Sequence, residues 1–546
     1  MDLHTWLIPT MILLPLVGGV VVLLMGRDKH RAMAHLSMIF TVAVFALSLV
    51  LARGMDWTNT GAMQFGYGVD WVSGFGLRLA GGVNGISFWF ILLTAGLMPL
   101  IILESYTNLE KRTRGRTAEY FFWLLIGESA MIGAFSATDL IYFYVCFEFT
   151  LVPLFFLIGL FGSSDRLRAA TIFFLYSFAG SMLMLAGILY LAYHHAKGGT
   201  WSFDIDTLLA SASTLSGTEQ FWVMLALLCG FGVKVPMWPV HTWLPLAHTE
   251  APAAGSAILA AVLLKLGTYG ILRVVLPGCP EAVVTYAPWL GGIAICGILY
   301  AALVCWVQKD IKKLIAYSSV SHMGFCIMGL IALNAIGVGG SIFYMIAHGV
   351  STGALFLCVG MIYERFHTRE FADFSGLARV IPVWGFFFVF FCLASVGLPG
   401  LNGFVGEFLT LMGAFTAESV LGWPFALAAA FGLIFGAIYI LYMIGLAVFG
   451  PVKIPEGWTH EHGSEPVKDL CPREIIVLGP LAVVCLVTGI FPTVILGPLE
   501  APTAALLAPA TQYIAELEQP VDLVTDDAQT EDRPATTLAA SEADAR

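Results

Sequence analysis

The stretch Cys229-Gly-Phe-Gly-Val-Lys-Val-Pro-Met-Trp-Pro-Val-His-Thr-Trp-Leu-Pro245 places Lys234 inside an apolar segment that Pro236 and Pro239 interrupt. A charged side chain is costly in the hydrocarbon of a bilayer, and function is its default explanation. Proline lacks a backbone N–H and breaks the helical hydrogen-bond ladder, so freed carbonyls at this depth must line a protein-enclosed cavity. The segment therefore predicts a discontinuous membrane helix with a buried lysine at its break.

The composition around this segment is that of a polytopic membrane protein. The chain has 546 residues, of which 58% are apolar and only 12% charged, far from the usage of soluble domains. Apolar runs of about 20 residues each match a bilayer core of about 30 Å. They predict an all-α fold with fourteen transmembrane helices, near 7–26, 33–52, 84–104, 119–136, 139–161, 170–193, 221–245, 252–276, 286–307, 314–333, 340–363, 383–419 (broken), 424–449 and 474–497.

The basic residues predict the orientation. Of the 26 Lys and Arg residues, eighteen fall in one set of alternating loops and six in the opposite set, which includes both termini; Lys234 and Lys265 lie inside spans. Because cytoplasmic loops collect Lys and Arg, we expect both termini outside, in the periplasm of a bacterial inner membrane or the equivalent side of a mitochondrial inner membrane.

An internal repeat organises the middle of the chain. The stretches 171–181 and 341–351 are similar, and each precedes an interrupted helix, the second at Gly397-Leu-Pro-Gly-Leu-Asn-Gly403. Inverted repeats with discontinuous helices are typical of ion and solute carriers. We predict an N-terminal three-helix segment (1–118), two inverted five-helix repeats (119–276 and 286–449), a loop with the last helix (450–499) and an acidic, disordered tail (500–546), which holds ten acidic and two basic residues.

Cofactor chemistry has no signature in this sequence. The ten cysteines are scattered, without the spacing of zinc, iron–sulfur or redox-active sites. Within the predicted membrane helices no His–His or His–carboxylate pair at i, i+4 suggests a metal, and neither a Walker lysine loop nor a dinucleotide glycine fingerprint occurs. We expect no cofactor and no metal in this chain, so any redox or ATP chemistry would belong to another polypeptide.

Four buried charges are the main candidates for function: Glu148, Lys234, Lys265 and Glu407. A structural ion pair between Glu148 and Lys234 is the plain alternative, but buried pairs seldom add net stability over apolar packing. Burial disfavours the charged form of a lysine and a nearby carboxylate favours it, so movement of Glu148 could load or expel a proton. Lys265 has no acidic residue within two turns of its own helix, whereas Thr268 and Tyr269 share its face.

Histidines form a second set of candidates. His241 and His248 follow Lys234 at intervals of seven and would share a face if the helix resumed after the prolines. His322 lies on a polar face with Ser318 and Ser319, and His348 on one with Tyr344 and Ser351. Histidine is a natural proton relay near neutral pH, although a helical histidine is also often a simple core residue. We take His241, His322 and His348 as possible relays.

Four segments closely resemble the antiporter-like subunits of respiratory complex I, NADH-quinone oxidoreductase. These are Phe143–Pro153, Lys234–Pro252, Lys309–Gly324 and Gly397–Phe408, within a resemblance that covers about 84–450. Glu407 is typical of the M type, which is homologous to mitochondrial subunit 4, because the sibling L and N types tend to carry lysine there. Phe147 departs from the family, which often has tryptophan before the glutamate.

The resemblance implies a proton-translocating membrane-arm subunit driven by electron transfer in other subunits. It implies an input pair at Glu148 and Lys234, a central relay at Lys265, an output group at Glu407, and hydrophilic-axis residues at His322 and His348. Neighbouring L- and N-type subunits and lipid would be its partners, and nucleic acid would not. The alternatives are a subunit of a cation/proton antiporter or membrane-bound hydrogenase, and a scaffold that moves no ions.

Overall fold

The computed structural model describes residues 3–26, 28–107, 109–455 and 467–519, most of them helical. In this part of the chain, twelve helices are long and apolar enough to cross a membrane. All except the last coincide with predicted spans. The interrupted helices and the one that begins at Thr117 fall outside this group, so the count of fourteen stays a prediction while the polytopic helical fold is confirmed.

The N-terminal segment contains three long helices and a hairpin. Its elements are α1 (Leu3–Leu23), α2 (His30–Gly54), β1 (Gln64–Val72), β2 (Leu77–Val83), α3 (Ser87–Glu104) and the short α4 (Leu109–Thr113). The two strands pair antiparallel, and Gly76 turns between them with a φ of +64°. We did not predict this hairpin, although aromatic and branched residues alternate along Gln64–Val72 as a strand requires.

The region predicted as the first repeat consists of helices and connecting loops. It comprises α5 (Thr117–Ser136), α6 (Leu140–Phe149), α7 (Leu151–Phe161), α8 (Arg166–Ala196), α9 (Ile205–Ala212), α10 (Gly217–Lys234), α11 (Trp243–Glu250), α12 (Ala253–Ile258), α13 (Leu264–Gly270) and α14 (Leu276–Gly278). The last three are joined by π-helical segments at Leu259–Leu263 and Ile271–Val275. They form one long, deeply buried rod.

The region predicted as the second repeat has a similar order of elements. It comprises α15 (Pro280–Trp306), α16 (Ile311–Ile331), α17 (Ala335–Phe366), α18 (Pro382–Ser395), α19 (Asn402–Thr416) and α20 (Trp423–Ala447). The chain is interrupted between α18 and α19, as it is between α10 and α11. The fourth span of each region is therefore broken, whereas the inverted relationship of the two regions stays a prediction.

The C-terminal part differs from the prediction. After α21 (Pro472–Ile490), helix α22 runs from Thr493 to Glu518, so the expectation of disorder from residue 500 onward is wrong for 500–518. One face of α22, including Leu499, Leu506 and Leu507, is buried against the bundle. This packing outweighs the acidic and proline-rich local composition. Residues 520–546 of the predicted tail lie outside the described residues.

The centre of the bundle consists of the α12–α14 rod, α16 and α17. The rod and α17 are entirely buried over their most apolar 18 residues and α16 is 94% buried there, whereas the other membrane-spanning helices are between 28% and 61% buried. A helix buried on all sides can carry polar groups only where they find partners or water. These three elements hold Lys265, His322 and His348.

Candidate functional site

Lys234 is the last residue of α10, at the break predicted from the prolines. Its side chain is 2% exposed. The ammonium donates a hydrogen bond of 2.9 Å to Oγ1 of Thr150 and lies 4.6 Å from the centre of the Phe147 ring. Thr150 occupies the junction between α6 and α7. The break after α10 thus lies beside the junction between α6 and α7.

Two carbonyls at this break find donors that are not part of a regular helix. The amide of Met237 donates to the Gly232 carbonyl at 2.8 Å, and the indole N–H of Trp243 donates to the Val233 carbonyl at 2.9 Å. Pro236 cannot donate to the Gly232 carbonyl, and the Met237 amide replaces the missing helical donor because the chain folds back at the break. The prolines remove the helical donors at the break, and these two hydrogen bonds fix its conformation.

Glu148 lies near Lys234 without forming an ion pair with it. Among the described residues, ion pairs within 4.0 Å do not include these two side chains, although they interact electrostatically. One carboxylate oxygen of Glu148 is buried with no hydrogen-bond partner, and the Ser181 hydroxyl lies beside the carboxylate. A static ion pair does not describe this geometry, in which the carboxylate interacts electrostatically with the lysine without an ion-pair contact.

Lys265 is fully buried in the rod, just after the first π-helical segment. Its ammonium donates 2.6 Å to the carbonyl of Ala260 and lies 2.7 Å from Nδ1 of His348. A π-helical segment shifts the backbone hydrogen-bond pattern and is frequent at functional sites. The lysine that lacks an acidic neighbour in sequence is therefore partnered by a backbone carbonyl and a histidine from α17.

The two predicted relay histidines of α16 and α17 adjoin one another. The rings of His322 and His348 lie edge to face with centroids 5.4 Å apart. Nε2 of His322 is 3.0 Å from the hydroxyl of Tyr439 on α20, while Nε2 of His348 has no partner among the described residues. Both rings are buried. Lys265, His348 and His322 therefore form a continuous row of titratable side chains.

Glu407 lies at the other end of this row, in the first turns of α19. The hydroxyl of Tyr344 donates a 2.5 Å hydrogen bond to Oε1 of Glu407, and the Tyr344 ring stacks on His322 with centroids 5.8 Å apart. A Cβ at Gly397 would lie 2.2 Å from Oε2 of Glu407, and one at Gly406 would lie 2.5 Å from Cβ of Tyr344. Two glycines thus provide the space for the tyrosine and the carboxylate to meet.

The histidines after the break do not share one helix. His241 precedes α11, with its ring 5.3 Å from that of Tyr300, so the expected common face with His248 is wrong. His248 lies within α11, is fully buried, and stacks on Phe356 at 4.4 Å. Neither of its ring nitrogens has a hydrogen-bond partner among the described residues.

Lys234 and Lys265 are brought near each other by close backbone packing. A Cβ at Gly267 would lie 2.7 Å from the Phe231 carbonyl oxygen and 3.0 Å from the amide nitrogen of Val235. Only glycine allows the rod to approach the end of α10 so closely. No side-chain contact joins the two lysines among the described residues, so a proton moving between them would need water.

The sequence analysis missed Thr150 and Tyr439 as partners, and it did not select Tyr344 as a site residue. Tyr344 precedes His348 by four positions, a spacing that puts both on one helical face, and this signal was visible. Thr150 follows Glu148 by two positions and ends the same helix. Tyr439 had no comparable signal, because only the packing of α20 against α16 places it beside His322.

These features define a polytopic membrane protein of the ion-carrier class, with a row of buried lysine, histidine, tyrosine and glutamate side chains between two broken helices. The family described as "NADH:quinone oxidoreductase/Mrp antiporter, TM" matches residues 137–436. NADH-quinone oxidoreductase subunit M of Rhodobacter capsulatus is 42% identical over 494 residues, which are 88% of this chain and 92% of that protein.

Two further comparisons agree with this family. NADH-ubiquinone oxidoreductase chain 4 of Chondrus crispus is 38% identical, across 91% of this chain and 96% of the relative. A chain in the structure of respiratory complex I from Thermus thermophilus with bound NADH superposes with a TM-score of 0.80 at 32% identity, covering 92% of this chain and 99% of that one. The chain therefore belongs to the antiporter-like subunits of NADH-quinone oxidoreductase, and within them to the M type.

Proposed function

We propose that this chain is a proton-translocating membrane-arm subunit of an NADH-quinone oxidoreductase and that its protons pass along the buried row of side chains. The observation that carries the proposal is the series of neighbouring side chains from Lys265 through His348, His322 and Tyr344 to Glu407, with hydrogen bonds at its two ends and ring contacts between them. Every member is buried in the middle of the bundle. Such a series is not expected in a purely structural scaffold, because each buried ionisable group costs free energy that an apolar side chain at the same position would not.

The hydrogen bonds at the two ends of the row suit a proton transfer, and we propose that water links the side chains between them. An ammonium at Lys265 donates to Nδ1 of His348, so the proton can pass along that hydrogen bond and leave a neutral amine. His348 and His322 offer ring nitrogens in adjacent positions. Tyr344 then presents its hydroxyl to Glu407, the last member of the row, which lies in α19 shortly after the break.

The input end is proposed to be Lys234 with Glu148 as its modulator. The lysine rests on the Thr150 hydroxyl and the Phe147 ring, neither of which neutralises its charge. A shift of the Glu148 carboxylate towards it stabilises the ammonium, and a shift away favours release of the proton. His241, buried after the break, is a further candidate in this region.

The chain would act as one part of a larger translocase. We propose that other subunits hold every redox cofactor and supply the energy of NADH oxidation by quinone, while this chain binds none. Other membrane-arm subunits of the antiporter-like type, together with lipid, are its proposed partners. Nothing in the geometry described above suggests a quinone site in this chain.

The proposed location is the inner membrane of a bacterial cell, with multiple spans and both termini on the periplasmic side. The bias of basic residues to one set of loops supports this orientation. Arg112, Arg114 and Arg369 lie together on that side of the bundle, which we call the basic-loop side.

Purification of the tagged wild-type protein from its native membrane tests the assignment to this complex. We expect flavin and iron–sulfur subunits to co-purify and the preparation to oxidise NADH with a quinone acceptor. Recovery with other antiporter-like subunits but without flavin would instead favour a cation/proton antiporter and contradict the proposal.

A further inference from the structure

Helix α21 runs beside the second broken helix, although none of its residues belongs to the proposed row. It packs against α17, α18, α19 and α3. Over its most apolar 18 residues it is only 28% buried, so it lies at the edge of the bundle. Its contacts with α18 and α19 nevertheless include two specific positions, the start of α18 and the break between the two helices.

The first position is the start of α18. That helix begins at Pro382, and the preceding Ile381 supplies no side-chain cap. The carboxylate of Asp469 takes the place of a cap, because it accepts hydrogen bonds from the amides of Val383 at 2.7 Å and Trp384 at 3.1 Å. These amides belong to the second and third residues of the helix, which an N-cap side chain usually satisfies. The loop before α21 therefore caps α18.

The backbone of this loop is held by the end of α17. The guanidinium of Arg365 donates to the carbonyl of Asp469 at 3.2 Å and to that of Lys468 at 3.0 Å. It also pairs with Glu474 at 2.7 Å. Glu474 lies in the first turn of α21 and is 4% exposed. The starts of α18 and α21 are thus joined to α17, the helix that carries Tyr344.

The second position is the break itself. A Cβ at Gly489, in the last turn of α21, would lie 2.5 Å from the carbonyl oxygen of Gly400 and 2.5 Å from Cα of Leu401. Only glycine allows two backbones to approach so closely. One turn earlier, the buried Cys485 lies beside the side chain of Asn402, the first residue of α19. Helix α21 therefore contacts the chain on both sides of α18.

The position of Glu407 depends on the position of this break. Glu407 lies in the first turns of α19 and accepts the hydrogen bond of Tyr344. Helix α19 has little freedom to adjust there, because a Cβ at Gly406 would lie 2.5 Å from Cβ of Tyr344. Closely packed interiors transmit a displacement rather than absorb it. A shift at Leu401 would therefore move the carboxylate relative to the hydroxyl group.

From these contacts we infer that α21 and the loop before it position Glu407 for proton transfer. Asp469 fixes the start of α18, and Gly489 fixes the break that leads into α19. Both are positioning residues, since neither is a member of the row. The inference rests on the proposed function, because it concerns the last group of that row.

A purely structural role for α21 is the competing explanation. A helix that only stabilises the bundle would, when altered, reduce the amount of assembled complex. It would leave the pumping rate of each assembled complex unchanged. The rate per amount of assembled complex therefore separates the two roles.

The test compares Gly489→Ala with Gly479→Ala by the initial rate of NADH-driven proton pumping of purified complex in sealed vesicles, per amount of assembled complex. Both variants add one methyl group to α21, but a Cβ at Gly479 has nothing within 4 Å. We expect Gly489→Ala to lower the rate by about tenfold or more, since a misplacement of about 1 Å can cost about 10²-fold. Gly479→Ala should keep the wild-type rate. A wild-type rate in Gly489→Ala, or an equal loss in both variants, would overturn the inference.

A double variant with Tyr344→Phe shows whether Gly489 acts through Glu407. Tyr344→Phe already removes the hydroxyl group that Gly489 is inferred to keep aligned with the carboxylate. Adding Gly489→Ala should therefore lower the rate no further, because the effects of residues that act as a unit are not additive. Losses that multiply would contradict the inference.

Glu407→Gln, measured in parallel, separates this inference from the proposed function. If Glu407→Gln loses pumping while Gly489→Ala keeps it, only the positioning role of α21 fails. If Glu407→Gln keeps the wild-type rate, the proposed function fails and the inference fails with it.

Should Gly489→Ala not assemble, Asp469 provides an independent test at the other end of α18. Asp469→Ala removes the acceptor of two helix amides, whereas Asp469→Asn keeps one side-chain oxygen. We expect Asp469→Ala to lower the pumping rate per assembled complex by about tenfold, and Asp469→Asn to recover part of that loss. A wild-type rate in assembled Asp469→Ala complex would contradict the inference, since the start of α18 could then be released without consequence for Glu407.

Discussion

The hydroxyl of Tyr344 donates a 2.5 Å hydrogen bond to Glu407, and both side chains are buried, at 1% and 5% exposure. The same phenol ring stacks on His322. Tyr344 therefore contacts both His322 and the terminal carboxylate. Proton transfer between His322 and Glu407 therefore depends on the hydroxyl group of Tyr344.

Removal of that hydroxyl is expected to interrupt proton transfer while leaving the packing intact. In Tyr344→Phe the ring keeps its stack on His322, but Glu407 loses its donor, and we expect proton pumping to fall by about tenfold or more. The measurement is the initial rate of NADH-driven proton pumping in reconstituted vesicles, per amount of assembled complex. Tyr442→Phe, the same change at an exposed position of α20, is the control, and equal rates in the two variants would show that Tyr344 has no part in the transfer.

The space at Gly397 is expected to be as important as the carboxylate it accommodates. A methyl group there would lie 2.2 Å from Oε2 of Glu407, at a φ of +78°. Gly400 has a φ of +93° with nothing within 4 Å of an added Cβ. Both alanine variants carry the backbone strain of a positive φ, of order 1–3 kcal/mol, but only Gly397→Ala displaces Glu407.

We therefore expect Gly397→Ala to lose pumping and Gly400→Ala to retain it in equal amounts of assembled complex. If Gly400→Ala loses pumping to the same extent, backbone strain rather than the position of Glu407 is responsible, and the account of this glycine is wrong.

Thr150 is expected to stabilise the ammonium of Lys234. Thr150→Val keeps the shape of the side chain but removes the hydroxyl that accepts the 2.9 Å hydrogen bond, whereas Thr150→Ser keeps the acceptor. Loss of a partner to a buried charged group costs about 1–3 kcal/mol or more. We expect lower thermal stability of the complex and slower pumping in Thr150→Val, with Thr150→Ser close to wild type; two identical variants would exclude the hydrogen bond as the cause.

The ion pair between Arg112 and Glu104 is expected to support assembly. Glu104 is 2% exposed and pairs with Arg112 at 2.8 Å, so Arg112→Met leaves a buried carboxylate unpaired. Breaking a buried pair in this way costs about 3–5 kcal/mol, which should lower the amount of assembled complex. The double variant Glu104→Gln with Arg112→Met should recover part of that loss. If it assembles worse than Arg112→Met alone, the cost of an unpaired carboxylate is not the explanation.

The sequence predicted the elements that carry the charges better than it predicted their partners. The break after Lys234 and the break near Pro399 were predictable because proline removes a backbone donor wherever it occurs. The hydrogen bond of Lys265 to His348 was not, since it joins α13 to α17 across 83 positions and depends on helix packing. The same limit applies to Tyr439 beside His322.

Local composition was misleading where packing decides the structure. Helix α22 contains three prolines and acidic residues, yet its apolar face is buried against α17. The hairpin at Gln64–Val83 does not stand out among the apolar runs, because its strands are much shorter than a segment that spans a membrane. For α22 the deciding interaction is formed with helices outside the segment whose composition predicts disorder.

The central claim is that protons pass through the buried row, and Lys265 is its first member. The most direct measurement is the number of protons pumped per NADH oxidised by purified complex in sealed vesicles, for wild type and for Lys265→Met. Methionine fills much of the same volume without a titratable group, so the account predicts assembled complex with a clearly reduced ratio. A wild-type ratio in fully assembled Lys265→Met complex would contradict it.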